Sequence, residues 1–242
     1  MEKCKELLIQ EPESLKGRWM SWAKDFIDQP QALYLELGCG KGRFTVDTAQ
    51  SLSNTLYVAI EKVPDAMIIA MERAMERELN CLRFIDGDAA KLADMFQPGE
   101  VSRIYINFCD PWPKSRDAKF RLTYPGFLRI YSQLLPLGGQ IHFKTDNLPL
   151  FRWSIQQFQQ EGWALHEVTE DLHGEGQKGY MTDYEAKFVD QGMKINRLVA
   201  EKTCDTKDLS APSLERMRNA ALTDARGYEE SMRSSAQLEQ AE

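Results

Sequence analysis

Short apolar runs of strand length alternate along this chain with longer stretches in which apolar residues return at helical spacing. Residues 33–37 (LYLEL), 56–60 (LYVAI), 81–85 (CLRFI), 103–108 (RIYINF) and 140–145 (QIHFKT) predict five buried strands. Helical patterns occupy residues 44–52, 65–79, 89–96, 124–135 and 148–162. Such an alternation predicts an α/β fold built on an open sheet. Two more runs, 163–168 and 188–200, read as a closing pair of strands. The long glycine-bearing connection between them holds Thr182, Asp183, Tyr184 and Glu185, and long connections in compact domains are usually functional or disordered. Ahead of the first strand, Trp19, Trp22, Phe26 and Ile27 predict one amphipathic helix over residues 15–27, stopped by Pro30. In the 65–79 helix, Asp65 is the candidate N-cap. Met67, Met71 and Met75 recur every four residues there and read as core.

The turn after the first strand is where chemistry enters the pattern. Gly38, Gly40 and Gly42 lie between strand and helix, where glycine permits positive φ and close approach of a ligand to the main chain. This is the layout of a nucleotide-type site at the carboxyl end of the first strand of an open α/β sheet. Glu36, two residues before the first glycine, is placed to reach the same crevice. An ordinary glycine-rich turn has the same local composition. The spacing is G-x-G-x-G, however, with Arg43 where the dinucleotide fingerprint has its third glycine, and this leans from NAD towards S-adenosylmethionine. Glu61, at the tip of the second strand, suits the two hydroxyls of a ribose. Asp88, after the third, suits an adenine amine or the cap of the helix that follows.

After the fourth strand comes Cys109-Asp110-Pro111-Trp112-Pro113-Lys114, an acidic, aromatic loop stiffened by two prolines. Lys114, Arg116, Lys119 and Arg121 follow, with Asp117 the one acid among them. A charge run is commonly a solvated face; directly after a ligand loop it also suits phosphates.

The net charge of the 242-residue chain is −7, which argues against a general nucleic-acid binder but not against a basic site on an acidic protein. Five scattered cysteines without a C-x-x-C fit a reducing cytoplasm. The three histidines have no zinc-like spacing to them, and no metal is expected. No signal-type segment or membrane-length apolar run is found. Residues 1–204 read as one domain, and 205–242, poor in large apolar residues, as an acidic, weakly helical or disordered tail.

The motifs LELGCGKG (35–42), INFCDPWPK (106–114), RLTY (121–124), FKTDN (143–147) and TDYE (182–185) resemble, in order, those of the bacterial tRNA (guanine-N7)-methyltransferase family. The resemblance runs from about residue 20 to residue 202. It implies a Rossmann-like class I methyltransferase fold: a mostly parallel seven-stranded sheet with an antiparallel last strand and helices on both faces. It further implies S-adenosylmethionine as donor and the guanine at position 46 of tRNA as acceptor, in a monomer or homodimer. Carried over by position, Glu36, Glu61, Asp88 and Asp110 line the cofactor site with Gly38, Gly40 and Gly42, and Asp110 is the catalytic position. Lys114, Asp146, Thr182, Asp183, Tyr184 and Glu185 meet the substrate, while Arg116, Lys119 and Arg121 are RNA-contact candidates. The chain departs from the family at Cys109, where serine is common, and at Asp117 and Phe120, which replace basic or histidine positions. Two rival classes stay open on residues alone. One is a nicotinamide-dependent oxidoreductase, which lacks a complete fingerprint here; the other is a non-catalytic RNA-binding protein on the same fold.

Overall fold

The computed structural model describes Cys4 and residues 6–174, 176 and 179–203; the expected tail at 205–242 lies outside the described residues. Seven strands are present: β1 (Ala32–Leu37), β2 (Thr55–Glu61), β3 (Leu82–Asp86), β4 (Arg103–Asn107), β5 (Gln140–Thr145), β6 (Trp163–Thr169) and β7 (Asn196–Lys202). They form one sheet in the order β3-β2-β1-β4-β5-β7-β6. β1 to β5 are parallel, and β7 inserts antiparallel to both β5 and β6.

Helices α1 (Trp19–Ala23), α2 (Arg43–Gln50), α3 (Pro64–Glu76), α4 (Leu92–Met95), α5 (Pro125–Leu134), α6 (Leu148–Gln160) and α7 (Asp183–Asp190) complete the described elements, with short 3₁₀ turns between them. Every residue of β2 is buried, which is why its sequence is apolar without alternation. Two hydrophobic clusters surround the sheet, one containing Leu33, Leu35 and Phe143, the other Phe44, Tyr57 and Phe84.

The chain runs outward from β1 to β3 and then crosses back to β4 on the other side of β1. That reversal opens a crevice beyond the carboxyl ends of β1 and β4, the usual ligand position in such sheets. Leu37 is level with Ile60 of β2 and Ile106 of β4, so the loops leaving all three strands emerge together.

Four expectations are corrected. The 15–27 helix is confined to Trp19–Ala23, because Gly17 takes a φ of 74° just ahead of it. Trp19 is still core: it stacks on Phe96 at 5.0 Å, and its Nε1 donates to the Met95 carbonyl at 2.9 Å. In α3 the N-cap is Val63, with Pro64 opening the helix and Asp65 inside its first turn. Met67 and Met71 are buried, whereas Met75 near the helix end is exposed. Phe188 belongs to α7, and the last strand begins only at Asn196. The T-x-x-E sequence explains that helix: the Thr182 hydroxyl accepts from the Glu185 N–H while the Glu185 side chain accepts from the Thr182 N–H, a reciprocal capping box.

Candidate active site

The three glycines have different jobs. Gly38, Gly40 and Gly42 all have left-handed φ, at 78°, 54° and 79°. A Cβ on Gly42 would lie 2.5 Å from the Cβ of Ala70, so this glycine lets α2 and α3 pack closely. A Cβ on Gly38 or Gly40 would meet nothing within 4 Å. Those two present bare main chain to a cavity of about 780 Å³ at the carboxyl edge of the sheet, within the ~300–1,000 Å³ usual for small-molecule sites.

Glu61 pins the glycine loop to the end of β2. Its Oε2 accepts from the Gly40 N–H at 2.8 Å, and its Oε1 accepts from the N–H groups of Lys62 and Val63, both at 2.9 Å. The carboxylate lines the cavity, as do Asp88 and Asp110. Asp88 also caps the following 3₁₀ turn, accepting from the Ala90 N–H at 2.8 Å. Thr182, Asp183 and Tyr184 close the opposite wall.

Glu36 does not line this cavity. Side chains alternate along β1, and this position points beneath the glycine loop into the layer under α2. There its Oε2 accepts from Thr45 Oγ1 at 2.7 Å and Tyr57 OH at 3.1 Å, and its Oε1 from Asn107 Nδ2 at 3.3 Å. Burial pushes its carboxyl up to about 7, against the pull of those donors and of Lys144.

The acidic, aromatic loop is held in a strained shape: Phe108 and Trp112, neither a glycine, have φ of 53° and 44°. What holds it is Arg121. This side chain is fully buried, with Nε donating to the carbonyls of Pro111 (3.1 Å) and Trp112 (3.2 Å) and Nη2 to Trp112 (2.9 Å). The guanidinium also lies 4.4 Å from the Trp153 ring centre. Arg121 is therefore corrected from an RNA contact to an internal brace. Lys114, Arg116 and Lys119 are exposed, and Arg116 approaches Asp117 at 3.8 Å. Phe120 is half exposed, lines the cavity mouth and lies 5.2 Å from the Trp112 ring.

The structure does not bring Glu185 or Asp146 to the cavity wall. Glu185 turns inward: its Oε2 pairs with Lys144 Nζ at 2.6 Å, and its Oε1 lies 3.2 Å from His173 Nε2. Lys144 also donates to the Tyr180 carbonyl at 2.9 Å. Burial pulls the Lys144 ammonium down, while Glu185 beside it works the other way. Asp146 is half-buried at the end of β5, with its carboxyl raised by desolvation. It does not cap α6; Asn147 does, accepting from the Leu150 N–H at 2.8 Å.

Sequence reasoning passed over Lys144 and Arg73. The first had a signal, a lysine inside an otherwise buried strand. The second had none: on α3, Arg73 donates to the Lys41 carbonyl (2.9 Å) and to both carboxylate oxygens of Asp183 (2.7 and 3.3 Å), joining the glycine loop to α7.

A sheet ordered 3-2-1-4-5-7-6 with a glycine loop after the first strand is the class I methyltransferase fold. Solved structures agree: an antibiotic-related methyltransferase superposes with a TM-score of 0.57 at 16% identity, covering 76% of this chain and 94% of that one. The 16S rRNA methyltransferase KamB gives 0.55 at 15% identity, covering 75% and 92%. The family model described as "Putative methyltransferase" matches residues 30–198. The tRNA (guanine-N(7)-)-methyltransferase of Halalkalibacterium halodurans is 43% identical over 81% of this chain and 88% of its own. That of Listeria innocua is 40% identical over 83% and 92%. The chain belongs to the tRNA (guanine-N7)-methyltransferase family.

Proposed function

We propose that this protein transfers a methyl group from S-adenosylmethionine to N7 of a tRNA guanine, the one at position 46 in the variable loop. The observation that carries the reading is a single cavity with two unlike walls. One group of lining residues, Gly38, Gly40, Glu61, Asp88 and Asp110, suits the donor, and the other, Trp112 with the first turn of α7, suits the acceptor base.

The first wall fits a nucleoside-bearing donor. Bare main chain at Gly38 and Gly40 allows close approach, Glu61 keeps lone pairs for ribose hydroxyls, and Asp88 reaches an adenine amine. The buried Oδ1 of Asn107, on the same wall, has no hydrogen-bond partner among the described residues and offers a further acceptor. Glu36 supports this wall from below through Asn107 and the α2 residue Thr45. When bound, S-adenosylmethionine supplies an electrophilic methyl group on a sulfonium. Guanine N7 has an in-plane lone pair and no proton, so no side chain is required as a general base. Asp110 and its braced loop then act by alignment and by excluding water, which can contribute several kcal/mol, about 7–11 in the best-oriented cases.

To enter, the guanine must leave its stack, and Trp112 or Tyr184 supplies an aromatic face for it. Thr182 lines the cavity beside Tyr184, and the exposed Lys114, two residues after Trp112, stands outside the lining and is assigned to the acceptor by the resemblance alone. Among the described residues no helix is long and apolar enough to cross a membrane; a tRNA substrate and free thiols support a cytoplasmic setting for the activity. The test is transfer of radiolabelled methyl to an unmodified tRNA transcript, followed by cleavage selective for N7-methylguanine. Label at a single guanine of the variable loop is expected. Labelled tRNA without that cleavage, or thermal stabilisation by NADH and not by S-adenosylhomocysteine, would overturn the reading.

A further inference from the structure

The basic run after the acidic loop carries less free charge than its sequence suggests. Arg121 is consumed by the Pro111 and Trp112 carbonyls, Arg116 approaches Asp117, and Phe120 has no charge. An RNA strand delivering a base to this cavity needs cations where its flanking phosphates pass, since phosphate contacts supply most of the sequence-independent affinity.

Four such cations line the cavity elsewhere. Lys41 and Arg43 flank Gly42 in the glycine loop, Lys62 follows β2, and Lys187 stands on α7. All four line the cavity and are exposed, and none forms an ion pair among the described residues. Of the four acids lining the same cavity, Asp183 is paired with Arg73, Glu61 accepts from three backbone N–H groups and Asp88 from its own turn, while Asp110 is exposed. A protein with net charge −7 thus places four exposed cations without ion-pair partners among the described residues around this cavity.

We infer that Lys41, Arg43, Lys62 and Lys187 form the surface on which the phosphates beside the target guanine lie. The inference rests on the tRNA reading above. The partner is a polyanion that presents a base to the cavity and phosphates to its rim. The competing source of negative charge is the carboxylate of the donor's own amino-acid end. These two make different demands, because only the polyanion gives a steep dependence on salt.

The experiment measures binding of unmodified tRNA from low to moderate salt. It compares the wild type, the pairs Lys41→Gln/Lys62→Gln and Arg43→Gln/Lys187→Gln, and all four together. Lys16→Gln/Lys24→Gln, outside the cavity, serves as control. Binding of S-adenosylhomocysteine by each protein is measured in parallel. The expected result is a log–log slope flattened by about 0.9 for each phosphate that the variant no longer neutralises. The fourfold variant should bind tRNA at least tenfold more weakly at low salt, with S-adenosylhomocysteine affinity within twofold of wild type and the control unchanged. A wild-type slope in the fourfold variant overturns the inference. So does a loss confined to S-adenosylhomocysteine binding, which would assign the rim to the donor. Failure of the tRNA reading itself would look different: the wild type would methylate no guanine N7 in the first place.

Discussion

Lys144 of β5 and Glu185 of α7 are joined by a buried ion pair, Nζ to Oε2 2.6 Å, that fixes α7 to the sheet. Both side chains are almost wholly removed from solvent, so neither charge can be left alone cheaply. Lys144→Met or Glu185→Gln should each cost about 3–5 kcal/mol in chemical denaturation. The double variant should recover a substantial part, because it leaves no lone buried charge and Gln still serves the capping box. Strictly additive losses would mean the two residues act separately.

Glu36 predicts a pH dependence of stability. Its folded carboxyl is raised by burial from 4.5 to about 7. The proton is therefore held more tightly in the folded state. Its stabilising effect is complete below pH 4.5, declines as pH rises through 7, and is gone above that. The loss amounts to about 3 kcal/mol between those limits, at about 1.36 kcal/mol per unit. Glu36→Gln should remove this part of the dependence, so denaturation at about pH 5 and about pH 8 should show a smaller difference than in the wild type. An unchanged difference would remove Glu36 from the account.

Arg121 separates bracing from RNA binding. Arg121→Lys leaves carbonyls of Pro111 and Trp112 short of donors and should destabilise the protein by about 1–3 kcal/mol. Methyl transfer should fall with it, because Asp110 rides on the same loop. The salt slope of tRNA binding should stay at its wild-type value; a flattened slope would restore Arg121 as a phosphate contact.

Asp146→Asn tests the acceptor side. With Asn147 as the cap of α6, a silent substitution can no longer be credited to capping. Asp146 is half-buried outside the cavity wall, with its carboxyl raised by desolvation, and it is the family resemblance that sets it against guanine N–H groups. Exchanging that acceptor for a group that also donates should lower methyl transfer at least about tenfold, from a mismatch of about 1–3 kcal/mol. S-adenosylhomocysteine binding should stay near wild type. A fully active variant would take Asp146 out of the site.

The parallel strands were legible because burial on both faces leaves an unbroken apolar signature, as in LYVAI at residues 56–60. The glycine loop and Glu61 were legible because strand-end chemistry is local in sequence. The N-terminal helix was overdrawn because aromatic spacing reports burial, and Trp19 is buried without needing a long helix around it. Helix α7 was missed because its eight residues adjoin an apolar strand, although the capping box in TDYE marked its start. The roles of Arg121, Arg73 and Lys144 depend on partners 9 to 110 positions away, and no local pattern encodes such meetings.

The placement of β7 sets an order of assembly during synthesis. This strand, among the last residues described, fills the gap between β5 and β6, and α7 enters the chain just before it. Residues 32–110 hold β1 to β4 and the glycine loop, so these strands are made before the α7 residue Asp183 that Arg73 ties to the loop. Once β5 is made, its edge away from β4 has no partner strand until β7 follows. Thr182, Asp183 and Tyr184 join the cavity with α7, and β7 pairs with the β5 edge after them. The two sides of the cavity thus enter the chain far apart in sequence, and the strand that pairs with both β5 and β6 is the last of the seven to be made.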